Sequence, residues 1–160
     1  MHWATYRSPG DATNNLSLQE RLIGSWKLVS YEARSEDGRA VIYPLGRDAK
    51  GYILYTPDGY MSAQIMRLNR PRYQTADPSG GTDAQSSLAA RGYLAYSGPY
   101  RVEDDAVVLH EPEVSLFPNW VDETLSRRAA LVDGRLELST TTPVQFGQGQ
   151  LTAVLVWERA

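Results

Sequence analysis

The chain contains no cysteine, and histidine occurs only twice, as His2 and His110. The absence of cysteine excludes disulfide scaffolds, thiolate catalysis and cysteine-ligated zinc. Two histidines that stand far apart in the sequence also argue against a multi-histidine metal site within one chain. We therefore expect neither a metal nor another cofactor.

The chain also lacks a net positive charge and long apolar runs. The net charge of −3 argues against nucleic acid or a membrane surface as a general partner; the local exception is Arg67, Arg70 and Arg72. No apolar run approaches the roughly 20 residues of a membrane span, and the start of the chain lacks a signal-peptide core. We expect a soluble, cytoplasmic protein with a disordered N-terminus over residues 1–15 and one domain over residues 16–160.

Apolar and polar residues alternate along much of the chain, and turn dipeptides interrupt the alternation. This pattern is typical of an antiparallel all-β domain. It predicts eight strands, near residues 25–33, 51–56, 60–66, 93–102, 106–114, 123–132, 135–141 and 150–158. Eight such strands with mostly short connections can close into an up-and-down barrel around one small ligand. An eight-stranded sandwich is the alternative.

Two short helices are predicted from capping boxes. Ser17 with Glu20 begins a helix before the first strand, and its short apolar face could plug one end of a barrel. Thr82 with Gln85 begins a second helix between the third and fourth strands, which Gly92 would end.

The orientation of His110 follows from its charged neighbours, because side chains alternate between the two faces of a strand. Glu111 and Glu113 are expected to point outward. This turns Val108, His110, Pro112 and Val114 toward the interior.

Arg127 is expected to share the interior with His110. It lies on the same face of its predicted strand as Leu125, Ala129 and Leu131. The hairpin predicted at 133–134 continues that apolar face into the next strand. A buried guanidinium is costly without a partner. A carboxylate, a ring face, backbone carbonyls and an anionic group of a ligand all stay open as that partner.

Aromatic side chains are expected to form much of the ligand-binding surface. The interior parity of Met61 is less secure, since Ser62 and Gln64 on the opposite face could instead be the polar groups of a pocket. "SLFPNW" at residues 115–120 predicts either an apolar loop over the barrel end or the rim of a pocket. The predicted ligand-binding residues are Tyr55, Met61, Tyr96, Tyr100, Phe117, Asn119 and Trp120.

Several blocks together resemble a known family. "LIGSWKLVSYE" contains the Gly24 and Trp26 of a GxW motif, and "TAVLVWERA" brings in Arg159; these are similar to lipocalins, in which such an arginine packs over the first-strand tryptophan. With "GYILYTPDGYMSAQIM", "GYLAYSGPY" and "SLFPNW", the chain resembles the bacterial and fungal lipocalin-like domain family over about residues 20–160. The resemblance implies that Trp26 and Arg159 close the barrel base.

The same resemblance implies a small apolar or aromatic ligand inside the barrel, and in some relatives cofactor-free cyclase or isomerase activity in natural-product biosynthesis. Secreted lipocalins commonly carry signal peptides and disulfides, neither of which is seen in this sequence, so an extracellular carrier role is not expected.

Three functions stay open. The first is binding of a small, largely apolar molecule with a carbonyl or carboxylate, in bacterial or fungal small-molecule metabolism. In the second, a cofactor-independent cyclase or isomerase, His110 transfers a proton and Arg127 stabilises negative charge. The third is a structural or interaction module with a filled barrel.

Each of the two candidate catalytic residues also has a structural alternative. His110 would be a core histidine hydrogen-bonded to a tyrosine or the backbone, and Arg127 would be a cation paired to a carboxylate. The sequence does not identify the ligand, and it leaves the oligomeric state, including a homodimer, open.

Overall fold

A computed structural model describes residues 16–147 and 149–160; the predicted disorder of residues 1–15 lies outside the described residues. In chain order the elements are α1 (Leu18–Leu22), β1 (Gly24–Arg34), β2 (Val41–Ile42), β3 (Lys50–Tyr55), β4 (Tyr60–Met66), α2 (Asp83–Arg91), β5 (Tyr93–Glu103), β6 (Val107–His110), β7 (Val114–Ser115), a 3₁₀ turn (Pro118–Trp120), β8 (Leu125–Val132), β9 (Arg135–Thr140), β10 (Val144–Phe146) and β11 (Gly149–Arg159).

Eight of these strands form a closed antiparallel barrel. Strands β1, β3, β4, β5, β6, β8, β9 and β11 each pair with the next in this order, and β11 returns to pair with β1. The predicted up-and-down barrel is therefore confirmed, and the sandwich alternative is wrong. Three short strands extend the sheet beside the barrel: β2 pairs with β1, β7 with β5, and β10 with β11. No helix in the described part of the chain is long and apolar enough to span a bilayer.

Both predicted helices begin at their capping boxes. The Ser17 and Thr82 side chains accept hydrogen bonds from the backbone N–H of Glu20 and Gln85, whose side chains accept in return from the cap residues. Leu22 of α1 is fully buried. The indole Nε1 of Trp26 donates to the Leu22 carbonyl at 2.8 Å, which ties α1 to the first barrel strand.

The end of the barrel next to α1 is closed by Arg159. Its guanidinium lies 3.8 Å from the centre of the Trp26 ring and donates to the carbonyls of Ile23 and Arg21 at 2.7 and 2.6 Å. Gly24 has φ of +121°, and a Cβ there would lie 2.7 Å from Nη1 of Arg159. The glycine is needed because its positive φ strains any other residue, and a side chain there would also have to displace the guanidinium from its contact with Trp26.

The predicted strand over residues 106–114 is interrupted by a bulge. His110 pairs with Tyr100, but Ser115, five residues later, pairs with Tyr96, four residues earlier on β5. The extra residue reverses the inward and outward faces beyond the bulge. His110 is fully buried, as the parity of the glutamates predicts, whereas Val114 is 63% exposed. The prediction that Val114 faces the interior is therefore wrong.

Candidate functional site

The barrel encloses a cavity of about 410 Å³. Ligand-binding pockets usually measure about 300–1,000 Å³, so the space is large enough for a small organic molecule. Apolar side chains form most of the wall, and three of the aromatic ones stand at its rim. Lining residues include Ile53, Ile65, Leu94, Leu125, Leu138 and Leu155, with Phe117, Trp120 and Phe146 at the rim. The barrel is not filled by its own side chains, which weighs against a purely structural module.

Arg127 is the charged side chain of this cavity wall. It is partly buried, and its Nη1 donates to the Ser126 carbonyl at 3.0 Å. Within residues 16–147 and 149–160, no carboxylate lies within 4.0 Å of its guanidinium. The carboxylate pairing that the sequence left open is therefore not found there, and a positive charge faces an apolar space.

His110 is held between two tyrosines. Its Nε2 lies 2.8 Å from the Tyr55 hydroxyl, and its Nδ1 lies 2.9 Å from the Tyr96 hydroxyl. A neutral imidazole has one donor and one acceptor nitrogen, so one hydroxyl accepts from the ring and the other donates to it. Burial, and then the positive charge of Arg127, lowers the pKa of His110 well below its usual value. The side chain is neutral at pH 7.

The buried tyrosines near Arg127 are also neutral. Burial raises the pKa of Tyr31 to about 12, although the charge of Arg127 opposes this rise. Burial likewise raises the pKa of Tyr55 and of Tyr96. Among the described residues, Arg127 therefore supplies the single full charge of the cavity wall at neutral pH.

Acidification is expected to destabilise the fold through His110. The unfolded chain takes up a proton on this residue near pH ~6.5, whereas the folded chain resists until a much lower pH. The unfolded state then binds more protons, so the free energy of unfolding falls by about 1.4 kcal/mol per pH unit below ~6.5. Above that pH the contribution is fully present.

Urea unfolding at several pH values between 7 and 5 measures this slope. The variant His110→Gln has no titrating group at this position and should show a shallower dependence. Equal slopes for the variant and the wild type would contradict a neutral His110 in the folded state.

The structure brings five of the predicted site residues together around the cavity. Tyr96, His110, Phe117, Trp120 and Arg127 all line it. The ring centroids of Trp120 lie 5.4 Å from Tyr96 and 5.5 Å from Phe117, each pair in an edge-to-face arrangement.

Four predicted ligand-binding residues do not line the cavity. Tyr55 and Met61 are buried, and the Tyr55 ring packs edge-on against Tyr100 with centroids 4.8 Å apart. The Tyr100 hydroxyl donates to the Thr56 carbonyl. These three side chains face the interior, as alternation predicts, but they fill it. Asn119 is exposed in the 3₁₀ turn because the rings on either side of it, Phe117 and Trp120, take the cavity side.

Sequence reasoning did not select several cavity residues, notably Tyr31, Phe146 and Trp157. Trp157 has the inward parity of Leu155 and Arg159, so the signal was present for that residue. Phe146 belongs to the three-residue strand β10, which is too short to show alternation. The register of β1 shifts between Leu28 and Ser30. Tyr31 therefore faces the interior, whereas regular alternation from Trp26 and Leu28 would turn it outward.

A second cavity of about 420 Å³ lies outside the rim. It is bordered by Leu45 and by Arg91 at the end of α2. It shares Tyr31, Leu94, Phe117 and Trp120 with the barrel cavity. The aromatic rim therefore stands between the barrel interior and a groove under α2.

Comparison with known proteins is consistent with a barrel that binds small molecules. A model of the lipocalin-like domain family matches residues 23–160. A curated relative from Aspergillus oryzae, the "4'-hydroxy-3'-methoxypropiophenone carrier protein ppsC", is 37% identical over 106 residues, which cover 62% of this chain and 96% of the relative.

Solved structures of similar shape include a redesigned β-barrel, with a TM-score of 0.43 and 11% identity over 91% of this chain and 98% of that chain. Another is the wild-type fluorescent protein UnaG, with a TM-score of 0.38 and 13% identity over 88% of this chain and 98% of that chain.

Proposed function

The chain belongs to the lipocalin-like domain family, and from that premise we propose that it is a carrier protein for a small molecule of bacterial or fungal metabolism. The ligand is largely apolar, bears a carbonyl or carboxylate group, and binds inside the barrel. This proposal rests above all on Arg127, a cation without a carboxylate partner in the described residues, in the wall of an apolar cavity.

The energetics of Arg127 support this ligand chemistry. A guanidinium that loses water to an apolar ligand without gaining a hydrogen-bond partner pays a desolvation cost. A ligand oxygen that accepts from the guanidinium offsets that cost, and a carboxylate can accept two hydrogen bonds from it. Arg127 therefore favours ligands with an acceptor group over plain hydrocarbons.

The aromatic rim fits the kind of ligand named for the curated relative. That relative is described as a carrier of an aryl ketone. In this chain an aromatic ring can contact Phe117 and Trp120, while a ketone oxygen accepts from Arg127. We propose an aryl ketone or aromatic acid as the ligand class.

Replacing Arg127 by methionine is expected to weaken ligand binding by roughly tenfold or more. A hydrogen bond to a charged group contributes about 1.5–3 kcal/mol, which corresponds to that range of affinity. Isothermal titration calorimetry with 4'-hydroxy-3'-methoxypropiophenone and a panel of related aryl ketones and aromatic acids measures the change.

Arg128→Met is the matched control, since Arg128 is the next residue on β8 and is exposed on the outside of the barrel. It should bind the panel as the wild type does. Failure of the wild type to bind any member of the panel would refute the carrier function. Equal affinities of wild type and Arg127→Met would refute the role of Arg127.

The state of His110 favours a carrier over the cyclase or isomerase alternative. Both ring nitrogens are already hydrogen-bonded to tyrosines, and the lowered pKa makes the protonated imidazole unfavourable. A general base near neutral pH needs a pKa close to the working pH. The same ligand panel, followed by liquid chromatography and proton nuclear magnetic resonance because an isomer has the mass of its substrate, tests this choice: a carrier returns each compound unchanged, and turnover would favour the enzyme.

A further inference from the structure

We propose that Trp157 is a second ligand-binding residue, whose indole N–H donates to an acceptor at the opposite end of the ligand from the group that binds Arg127. The inference rests on the carrier function proposed above. It makes the ligand class more specific: an elongated aromatic molecule with one hydrogen-bond acceptor near each end and an apolar body between them.

The first observation is the hydrogen-bonding state of the indole. Trp157 is 1% exposed and lines the cavity. Its Nε1 is buried and has no hydrogen-bond partner among the described residues. Trp26, the other fully buried tryptophan of the barrel, donates to the Leu22 carbonyl. Buried indole N–H groups usually find a partner, and one left unpaired costs about 1–3 kcal/mol. A ligand acceptor at this position removes the cost.

The second observation is the separation of the two donors. Trp157 pairs with Leu136 on β9, and Arg127 pairs with Thr140 on the same strand. These positions are four residues apart, which corresponds to about 13 Å along a strand. Trp157 also pairs with Leu28 of β1, two residues from the Trp26 and Arg159 contact that closes the barrel. Trp157 therefore lies toward the closed end, and its side chain and that of Arg127 start from well-separated points of the wall.

The third observation is that most other polar groups near the cavity are already paired; the exception is the Tyr31 hydroxyl, which lines the cavity and has no hydrogen bond to a described residue. Both nitrogens of His110 are bonded to tyrosines. The Thr140 hydroxyl accepts from the Ala153 N–H, and the Gln145 amide is bonded to the Gly147 carbonyl and to Gln150. No carboxylate lines the cavity within residues 16–147 and 149–160. The cavity thus offers the N–H groups of Arg127 and Trp157 and the hydroxyl of Tyr31, a set in which donors predominate, and it selects for acceptors.

Two probes of matched shape test the proposal. In para-methoxypropiophenone an ether oxygen stands across the ring from the ketone, and in para-ethylpropiophenone a methylene group replaces that oxygen. The dissociation constants of both are measured by isothermal titration calorimetry for the wild type and for Trp157→Phe, which keeps an aromatic ring and removes the N–H. We expect the variant to shift the ratio of the two constants by about three- to tenfold in favour of the ethyl compound, the value of one neutral hydrogen bond.

Trp120→Phe is the control, because Trp120 lines the rim rather than the closed end. It changes aromatic contact for both probes and should leave their ratio unaltered. An unchanged ratio in Trp157→Phe would overturn the proposal, and so would an equal loss of affinity for both probes.

Nuclear magnetic resonance of the wild-type protein gives a second measurement, which does not require the variant to fold. The indole N–H signal of Trp157 should shift downfield with the methoxy probe and not with the ethyl probe. An identical response to both would overturn the proposal. If the wild type binds neither probe, nor any other member of the aryl ketone panel, the carrier function itself fails; binding without discrimination refutes only the role of Trp157.

Discussion

Replacement of Gly98 by alanine is expected to destabilise the barrel by about 3 kcal/mol, the upper end of the usual cost of overpacking. A Cβ at this position would collide with the carbonyl oxygen of Glu111 and would lie 2.8 Å from the backbone nitrogen of Glu113. Both are backbone atoms of the bulged segment that follows His110 and packs against β5. Unlike the end of a flexible side chain, they can move only if the strands separate. Urea unfolding, followed by tryptophan fluorescence, measures the loss in the free energy of unfolding.

Gly149→Ala is the matched control for this effect. The nearest atom to a Cβ at Gly149 lies at 4.0 Å, which is an ordinary contact. Its free energy of unfolding should stay within about 0.5 kcal/mol of the wild-type value. If Gly98→Ala were as stable as this control, the close packing of the bulge on β5 would be contradicted.

Replacement of His110 by leucine is expected to destabilise the fold by about 3 kcal/mol. The imidazole satisfies two buried tyrosine hydroxyls at once, so its loss leaves both without this partner. Each buried hydroxyl left unpaired costs about 1–3 kcal/mol, whereas leucine is close enough in size to limit the packing cost. The free energy of unfolding should be measured at pH 7, where His110 is neutral.

The combined variant Tyr55→Phe, Tyr96→Phe, His110→Leu separates hydrogen bonding from packing. Removing every polar partner of the group leaves no hydroxyl unpaired, so this variant should be more stable than His110→Leu alone. If the combined variant is instead less stable than the single one, the cost at this site comes from shape rather than from hydrogen bonding.

The barrel itself could be predicted from the sequence because alternation is a local property. Seven of the eight main strands have six or more residues and are long enough to show it, whereas β6 has only four. The capping boxes at Ser17 and Thr82 mark the helices by short-range spacing alone. The family resemblance over about residues 20–160 agrees with the match of the family model over residues 23–160. The sequence also predicts that His110 points inward, because Glu111 and Glu113 follow it on the same predicted strand.

The sequence could not predict at which height along the barrel axis the interior stays empty. Alternation tells which side chains face inward, and it gives Tyr55 and Tyr96 the same direction. Only the three-dimensional volumes decide that Tyr55 packs against Tyr100 while Tyr96 borders the cavity. The bulge after His110 could not be predicted either, because it depends on a contact between two strands: the close approach of Glu111 to Gly98. Arg127 kept its predicted place because its strand is regular from Leu125 to Val132.

The seam between β1 and β11 has a consequence for how the chain reaches this fold. Trp26 is the register partner of Arg159, so the closing contact joins residues more than 130 positions apart, whereas the other barrel pairings join neighbouring strands. Until β11 docks, β1 keeps an open edge that can pair with another molecule. Contacts of such long sequence separation also slow folding. The same seam that removes the last exposed edge from the native barrel is therefore the step at which a half-assembled chain is most exposed to aggregation.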